Sequence, residues 1–170
     1  MSFDLPFGGA GRGFVVAAHE GGRIELPRWS LRIKVAASDT AGAMTLVEGA
    51  MDPGHPGPLE HVHGLHDEAF FLLEGALRFR IGGGYRTVVP GETVFASRGL
   101  AHGFSNPGNE RARYLCALTP SGYERYFHRL AELIRRNGGR PDSATLIRLM
   151  AEYETFPVDS TGAPILNGNL

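Results

Sequence analysis

The sequence contains a single cysteine, Cys116, in 170 residues. An intrachain disulfide is therefore excluded, and the fold has to rest on its buried core and its hydrogen bonds. Cys116 lies in the largely apolar run 113–118. In such a run we expect a buried thiol that packs and does not react.

A surplus of charge of one sign is also missing. The chain has 17 Lys and Arg against 18 Asp and Glu, which gives a formal net charge of -1. This balance argues against a surface that binds nucleic acid. No apolar run is long enough to span a membrane, and residues 1–6 lack the basic start and apolar core of a signal peptide. We therefore predict a cytoplasmic protein that binds neither nucleic acid nor a membrane.

Glycine, in contrast, is abundant, with 24 residues, and proline adds 11. This composition favours many short strands joined by tight turns over a helical bundle. The runs that we predict as strands are 13–18, 31–36, 43–51, 59–63, 68–73, 76–81, 85–89, 93–96, 103–105 and 111–118. The glycines at 82–84 predict a hairpin turn between two of these strands.

The spacing of apolar residues changes to a helical period after residue 120. Ser121 and Glu124 form a capping-box pattern at the start of one predicted helix, and the glycines at 138–139 end it. Pro141 and Asp142 predict the start of a second helix. We therefore divide the chain into an N-terminal arm with a first strand (1–30), a β-barrel (31–120), a helical segment (121–156) and a tail (157–170).

Residue types that ligate metals cluster in one short stretch of the chain. His61 and His63 are two residues apart, so a strand places both side chains on the same face. Glu68 opens the next predicted strand after a turn through Gly64, which can bring its carboxylate beside them. A third imidazole, that of His102, is available further along the chain. Together these groups are nitrogen and oxygen ligands suited to a first-row metal ion.

The same residues give the sequence a resemblance to the cupin superfamily. The two segments that resemble its motifs are His61-x-His63-x4-Glu68-x6-Gly75 and Gly91-x5-Ser97-x-Gly99-x2-His102-x3-Asn106. Two positions depart from the family pattern. Ser97 stands where the family has proline, and Gly54 lies one residue too early before the first histidine. Neither position is a ligand, so neither departure affects the predicted site.

The resemblance implies a mostly-β fold, the double-stranded β-helix or cupin jelly-roll barrel, here followed by two C-terminal α-helices. It also implies that one divalent transition metal ion (Fe, Mn, Ni, Co, Cu or Zn) is held by His61, His63, Glu68 and His102. Among cupins, the chain is most similar to single-domain bacterial proteins of the quercetin-dioxygenase-like and germin-like kinds. Such cupins are commonly dimers, so we expect a homodimer, with outward-facing Phe71 as a candidate contact.

Strand alternation extends the metal site into a predicted pocket. Phe70 and Leu72 share the parity of Glu68, so they should line the barrel interior beside the metal. Phe104 likewise shares the parity of His102, so it should also line the barrel interior. The residues that we assign to the substrate pocket are Phe70, Leu72, Phe104 and His66. His66 matches no ligand position of the motif, and we place it at the rim or behind the ligands.

Three functions remain open from the sequence. The leading hypothesis is a metal-dependent, dioxygenase-like oxidoreductase that acts on a small phenolic, enolic or diketone substrate, with Glu68 as both ligand and proton acceptor. The second is a metal-binding or small-ligand-binding module without turnover. The third is a metal-dependent isomerase or lyase. A cupin transcription factor is disfavoured, because neither predicted helix has a basic face.

Overall fold

The computed structural model describes residues 13–165. Within that range the chain forms eleven β-strands and two α-helices. The strands are β1 (Gly22–Leu26), β2 (Trp29–Val35), β3 (Thr45–Met51), β4 (His61–His63), β5 (Asp67–Glu74), β6 (Leu77–Ile81), β7 (Gly84–Val88), β8 (Thr93–Ala96), β9 (His102–Ser105), β10 (Ala112–Thr119) and β11 (Thr155–Pro157). The helices are α1 (Glu124–Asn137) and α2 (Ser143–Ala151).

The strands pair into two antiparallel sheets. One sheet has the order β1-β2-β3-β10-β5-β8, and the other has the order β11-β4-β9-β6-β7. Between β3 and β10 the chain passes repeatedly from one sheet to the other. This arrangement confirms the predicted mostly-β fold, a double-stranded β-helix followed by two helices.

The facing sides of the two sheets meet at a core of aromatic rings. The ring centroids of Phe70 on β5 and Phe79 on β6 are 5.2 Å apart, and the Phe104 ring of β9 contacts both. Phe71, the next residue of β5, points the other way and is 41% exposed. Its side chain thus lies on the outer face of the sheet, while the homodimer stays a prediction.

Strands were predicted correctly from residue 31 to residue 118, with ends shifted by two residues or fewer. The strand predicted at 13–18 is wrong, because the Glu20 amide donates to the Ala17 carbonyl and closes a turn there. Lys34 Nζ also donates to Ala17 O, at 2.8 Å, so a side chain occupies that carbonyl and no neighbouring strand pairs with it. The first strand of the described range is β1, where Ile24 and Leu26 alternate inward.

The structure tests the predicted start of each helix. The predicted capping box at Ser121 is wrong: Tyr123 is the N-cap residue of α1, and no side chain caps that end. The carboxylate of Glu124 instead accepts hydrogen bonds from Thr45 Oγ1 at 2.8 Å and from the Gly122 amide at 2.9 Å, which fastens the helix start to β3. At α2 the prediction is confirmed, since Asp142 Oδ1 accepts the amide of the third helical residue.

The sequence did not predict β11. It pairs with β4, so that Thr155 lies opposite His63 and Pro157 lies opposite His61. Three residues with a proline at the end carry too weak a pattern to be recognised as a strand. The C-terminal segment therefore completes the sheet that carries three of the predicted ligands, His61, His63 and His102.

Residues 1–12 of the predicted N-terminal arm and residues 166–170 of the predicted tail lie outside the described residues. Among the described residues, no helix has both the length and the apolar character that crossing a membrane requires.

Candidate metal centre

Three strands from both sheets bring the four predicted ligands together. On β4, His61 and His63 project to the barrel interior, and β9 pairs with β4 so that His102 lies directly opposite His61. Glu68 comes from β5 in the other sheet. All four side chains are 6% exposed or less. The alternation of the strands therefore places four polar side chains in an interior that excludes water.

The donor atoms of these residues lie near one another, and those of His61, His63 and His102 are all within 4.8 Å of one another. His61 Nε2 and His63 Nε2 are 3.0 Å apart, and His102 Nε2 is 3.0 Å from Glu68 Oε2. His63 Nε2 is 3.5 Å from the same carboxylate oxygen. Donors about 2.0–2.2 Å from a common ion have separations of this size. The residues that we name the four-donor set, His61, His63, Glu68 and His102, therefore have the spacing of a metal site.

Hydrogen bonds from the outer ring nitrogens orient the imidazoles. His61 Nδ1 lies 2.6 Å from the Leu59 carbonyl oxygen, and His102 Nδ1 lies 3.0 Å from the Leu100 carbonyl oxygen. A carbonyl only accepts, so in both residues Nδ1 carries the hydrogen. The inner nitrogen of a neutral ring then presents a lone pair to the centre of the site, as a metal-ligating histidine does.

His63 is oriented by the C-terminal strand. Its Nδ1 lies 2.9 Å from Thr155 Oγ1, while the Thr155 hydroxyl donates to the Tyr153 carbonyl oxygen or to the Tyr123 hydroxyl. Thr155 Oγ1 therefore accepts the hydrogen of His63 Nδ1. As a result, the lone pairs of His61 Nε2 and His63 Nε2 face each other at 3.0 Å, an arrangement that a cation between them would satisfy. The residues present thus fit a metal ion.

The electrostatics of the site also favour ligation. Burial lowers the pKa of His61 to about 3, assisted by the charges of His63 and His102, and burial likewise lowers the pKa of His63. Burial alone would raise the pKa of Glu68, but the hydrogen bond with His102 and the nearby imidazoles of His63 and His66 outweigh it and hold that pKa well below its usual value. Without a metal, the site thus contains a carboxylate anion and two neutral imidazoles.

His102 behaves differently from the other two imidazoles. Burial acts to lower its pKa, but the hydrogen bond to Glu68 and the negative charge of that carboxylate outweigh burial and raise it. Below this raised pKa, His102 is the protonated partner of Glu68 in the metal-free protein. A metal ion that binds here has to displace this one proton.

A cavity of about 220 Å³ opens from the metal centre toward the helices. Phe70 and Phe104 line it, as the sequence suggested. Leu72 is buried in the core and His66 lies behind His63, so neither is among the residues that line this cavity. Aromatic residues that line it and were not assigned to the pocket from the sequence are Trp29, Tyr114, Tyr123, Tyr126 and Phe127. The helical spacing after residue 120 placed Tyr123, Tyr126 and Phe127 on one apolar stripe without assigning it to the pocket, and no local pattern indicated Trp29 or Tyr114.

Comparisons with known proteins agree with this fold. The family model described as "Cupin domain" matches residues 47–118. The tetracenomycin polyketide synthase protein TcmJ of Streptomyces glaucescens is 34% identical over 61 residues, which are 36% of this chain and 41% of that protein. The match thus spans less than half of that relative's length.

Two solved structures show the same fold at low sequence identity. KdgF from Halomonas sp. superposes with a TM-score of 0.59 at 19% identity, over 67% of this chain and 99% of that chain. The polyketide cyclase RemF from Streptomyces resistomycificus superposes with a TM-score of 0.50 at 24% identity, over 61% of this chain and 71% of that chain. At these identities the likeness concerns the fold alone.

Proposed function

Because this chain belongs to the cupin superfamily, with its cupin domain over residues 47–118, we propose that it is a metal-dependent enzyme acting on a small, largely apolar phenol, enol or diketone, and that the reaction is a dioxygenation. The observation that carries the proposal is a single cavity lined both by the predicted ligands His61, His63 and Glu68 and by aromatic side chains. A cavity of this kind suits a ligand with one oxygen-bearing end and a flat apolar body.

The inner end of the cavity suits an enol or phenol oxygen. His61, His63 and Glu68 all line the cavity, so a bound substrate would reach the centre directly. When bound, a transition metal would supply Lewis acidity for the substrate oxygen and redox chemistry toward dioxygen. Its identity, among Fe, Mn, Ni, Co, Cu and Zn, is left to elemental analysis.

Glu68 is the group suited to take the substrate's hydroxyl proton. Its carboxylate is anionic at neutral pH, because the hydrogen bonds from histidines outweigh the effect of burial on its pKa. Tyr123 also lines the cavity, but burial raises its pKa well above the usual value, so its hydroxyl stays protonated and is available only as a donor. Glu68 therefore combines two roles, ligand and proton acceptor.

The walls of the cavity suit an apolar body. The Trp29 ring lies edge-on to Phe104, with centroids 5.9 Å apart, and to Phe127, with centroids 6.3 Å apart. Aromatic walls in this arrangement favour a planar ring system. Arg140 lines the cavity on the loop between α1 and α2, where its guanidinium would suit a substrate that also carries an anionic group.

A second candidate reaction is a metal-assisted cyclisation or isomerisation of a poly-oxygenated substrate without dioxygen. The specific observation in its favour is the 34% identity to a tetracenomycin polyketide synthase protein over 61 residues. The same enolate chemistry serves both reactions, since Lewis acidity at the substrate oxygen is required in each.

Oxygen dependence separates the candidates. Protein with its metal content measured by elemental analysis is incubated with a flavonol, a catechol, a β-diketone and an aromatic poly-β-ketone, in air and anaerobically. Oxygen uptake that matches product formation supports a dioxygenase, and equal turnover in both atmospheres supports cyclisation or isomerisation. Saturable binding without turnover in either atmosphere would contradict the enzyme proposal and favour a binding module. Glu68→Gln serves as the inactive control.

A further inference from the structure

His66 is buried beside the metal centre and has no assigned role. It lies in the connection between β4 and β5 and is 4% exposed. In the range 13–165, its Nε2 is the one buried side-chain nitrogen or oxygen atom without a hydrogen-bond partner. An unpaired buried polar atom destabilises the folded state, and a phenylalanine would fill the same space without that penalty. The nitrogen at this position therefore requires an explanation.

The surroundings of His66 direct this nitrogen toward the metal centre. Its ring stacks between those of His63 and Tyr123, with centroids 4.0 Å and 4.4 Å away. His66 Nε2 is 3.8 Å from Glu68 Oε1, too far for a hydrogen bond. The other carboxylate oxygen, Oε2, is the one that faces His102 and His63. Glu68 thus presents one oxygen to the four-donor set and the other to His66.

The separations match those of donors that share one ion. Two donors about 2.1 Å from a common ion are about 3.0–4.2 Å apart, depending on the angle between them. The distance of 3.8 Å between His66 Nε2 and Glu68 Oε1 falls in this range. The donor atoms of His63, His66 and Glu68 also lie within 4.8 Å of one another, as do those of His61, His63 and His102.

We propose that His66 is a fifth metal donor, which forms with His63 and Glu68 a second triad that shares these two residues with the four-donor set. The second triad keeps the ion bound when His61 or His102 is displaced, so a coordination position is freed for substrate without loss of the metal. This inference rests on the metal centre of the proposed function and is independent of which reaction occurs there.

Nuclear magnetic resonance tests the coordination directly. Metal-free protein labelled with ¹⁵N-histidine is titrated with Zn²⁺, and the ring nitrogens are observed before and after one equivalent. We expect the Nε2 resonance of His66 to move with those of the four-donor set. The resonances of His128, an exposed histidine on α1, serve as the internal reference. A His66 Nε2 resonance that stays in place at saturating Zn²⁺ would overturn the proposal.

Variants test the contribution to affinity. His66→Phe keeps a stacking ring and should lower Zn²⁺ affinity about tenfold or more, whereas His128→Phe should leave it unchanged. His61→Ala should retain weakened binding, and the double variant His61→Ala/His66→Phe should lose it, while His61→Ala/His128→Phe should match His61→Ala. If His66→Phe alone changes stability, the comparison between the two double variants still reports the effect of His66 on Zn²⁺ affinity.

The two kinds of failure are distinguishable. Equal affinity in the wild type and His66→Phe, together with equal affinity in His61→Ala and its His66→Phe double variant, contradicts the fifth donor and leaves the four-donor set intact. A wild-type protein that binds no Zn²⁺ contradicts the metal centre itself, and with it the proposed function.

Discussion

The side chains at the two ends of the cavity are oriented by contacts that differ in their sequence separation. At the inner end, His61 and His102 each donate to a carbonyl only two residues earlier in the chain, at Leu59 and Leu100. At the outer end, Trp29 donates from Nε1 to the Tyr114 hydroxyl at 2.9 Å, across 85 positions of sequence. The metal end is oriented largely by local contacts, whereas the aromatic end exists only once distant elements pack together.

This difference predicts that the two ends fail separately. Substitutions at the metal end should change metal affinity and leave the fold intact. The ligands are side chains of β4, β5 and β9, and the backbone pairing of these strands does not depend on the ligand side chains. Substitutions at the aromatic end should lower the free energy of unfolding, because those rings belong to the core.

The largest expected effect is that of Glu68→Gln on metal affinity. The amide keeps the size of the side chain and removes the charge that the three histidines stabilise, so Zn²⁺ affinity should fall at least about 100-fold, the upper end of the range for partners of metal ligands. Isothermal titration calorimetry measures it. Glu74→Gln, at the exposed end of the same strand, is the control. Wild-type affinity in Glu68→Gln would show that the carboxylate is not a ligand.

Gly49→Ala should break the aromatic end alone. Gly49 of β3 lies opposite Tyr114 of β10, and a β-carbon at this position would overlap the Tyr114 ring. The free energy of unfolding should fall by about 1–3 kcal/mol, as for other overpacked cores, with Zn²⁺ affinity retained. Urea denaturation measures the effect, and Gly139→Ala, with open space around it, is the control. A loss of Zn²⁺ affinity in the folded variant would mean that the two ends are coupled.

Thr155→Val sharpens the comparison, because it removes a contact through which a distant strand orients one of the ligands. The valine keeps the shape of Thr155 but cannot accept the hydrogen of His63 Nδ1, so Zn²⁺ affinity should fall about tenfold. Thr155→Ser keeps the hydroxyl and should restore affinity. If both variants lose affinity equally, the packing of β11 matters and the hydrogen bond does not.

The smallest expected effect is a pH dependence confined to the metal end. His102 is protonated below its raised pKa, and Zn²⁺ has to displace that proton, so affinity should increase by at most about tenfold per pH unit up to that pKa and then level off. Calorimetry in buffers of different ionisation enthalpy counts the protons released. Release of no proton near pH 6.5 would contradict the protonated state of His102.

The same protonation predicts the opposite trend for the stability of the metal-free protein. Because the folded-state pKa of His102 lies above its ordinary value of 6.5, its contribution to stability is fully present below pH 6.5 and is lost as the pH increases through the raised pKa. Urea midpoints of metal-free protein across this range measure it. In Glu68→Gln, which lacks the carboxylate partner, this dependence should disappear.

Most of the barrel could be predicted from the sequence. Strand alternation and turn glycines identified β2 to β10, because each of these strands carries its own pattern of apolar residues. The sequence missed β1 and β11. In β1 one glycine precedes the strand and another begins it, and in β11 three residues hold too little pattern, so only pairing with β2 and β4 makes them strands.

The sequence by itself predicted the four-donor set, since strand parity turns His61 and His63 the same way and the resemblance to the cupin motifs adds Glu68 and His102. Only the tertiary structure decided what stands around those ligands. Thr155 contacts His63 from 92 positions further along the chain, and Trp29 of β2 meets Tyr114 of β10 across the intervening strand β3. Spacing along one strand is a local property that residues encode directly, whereas contacts between distant elements depend on how the whole chain packs.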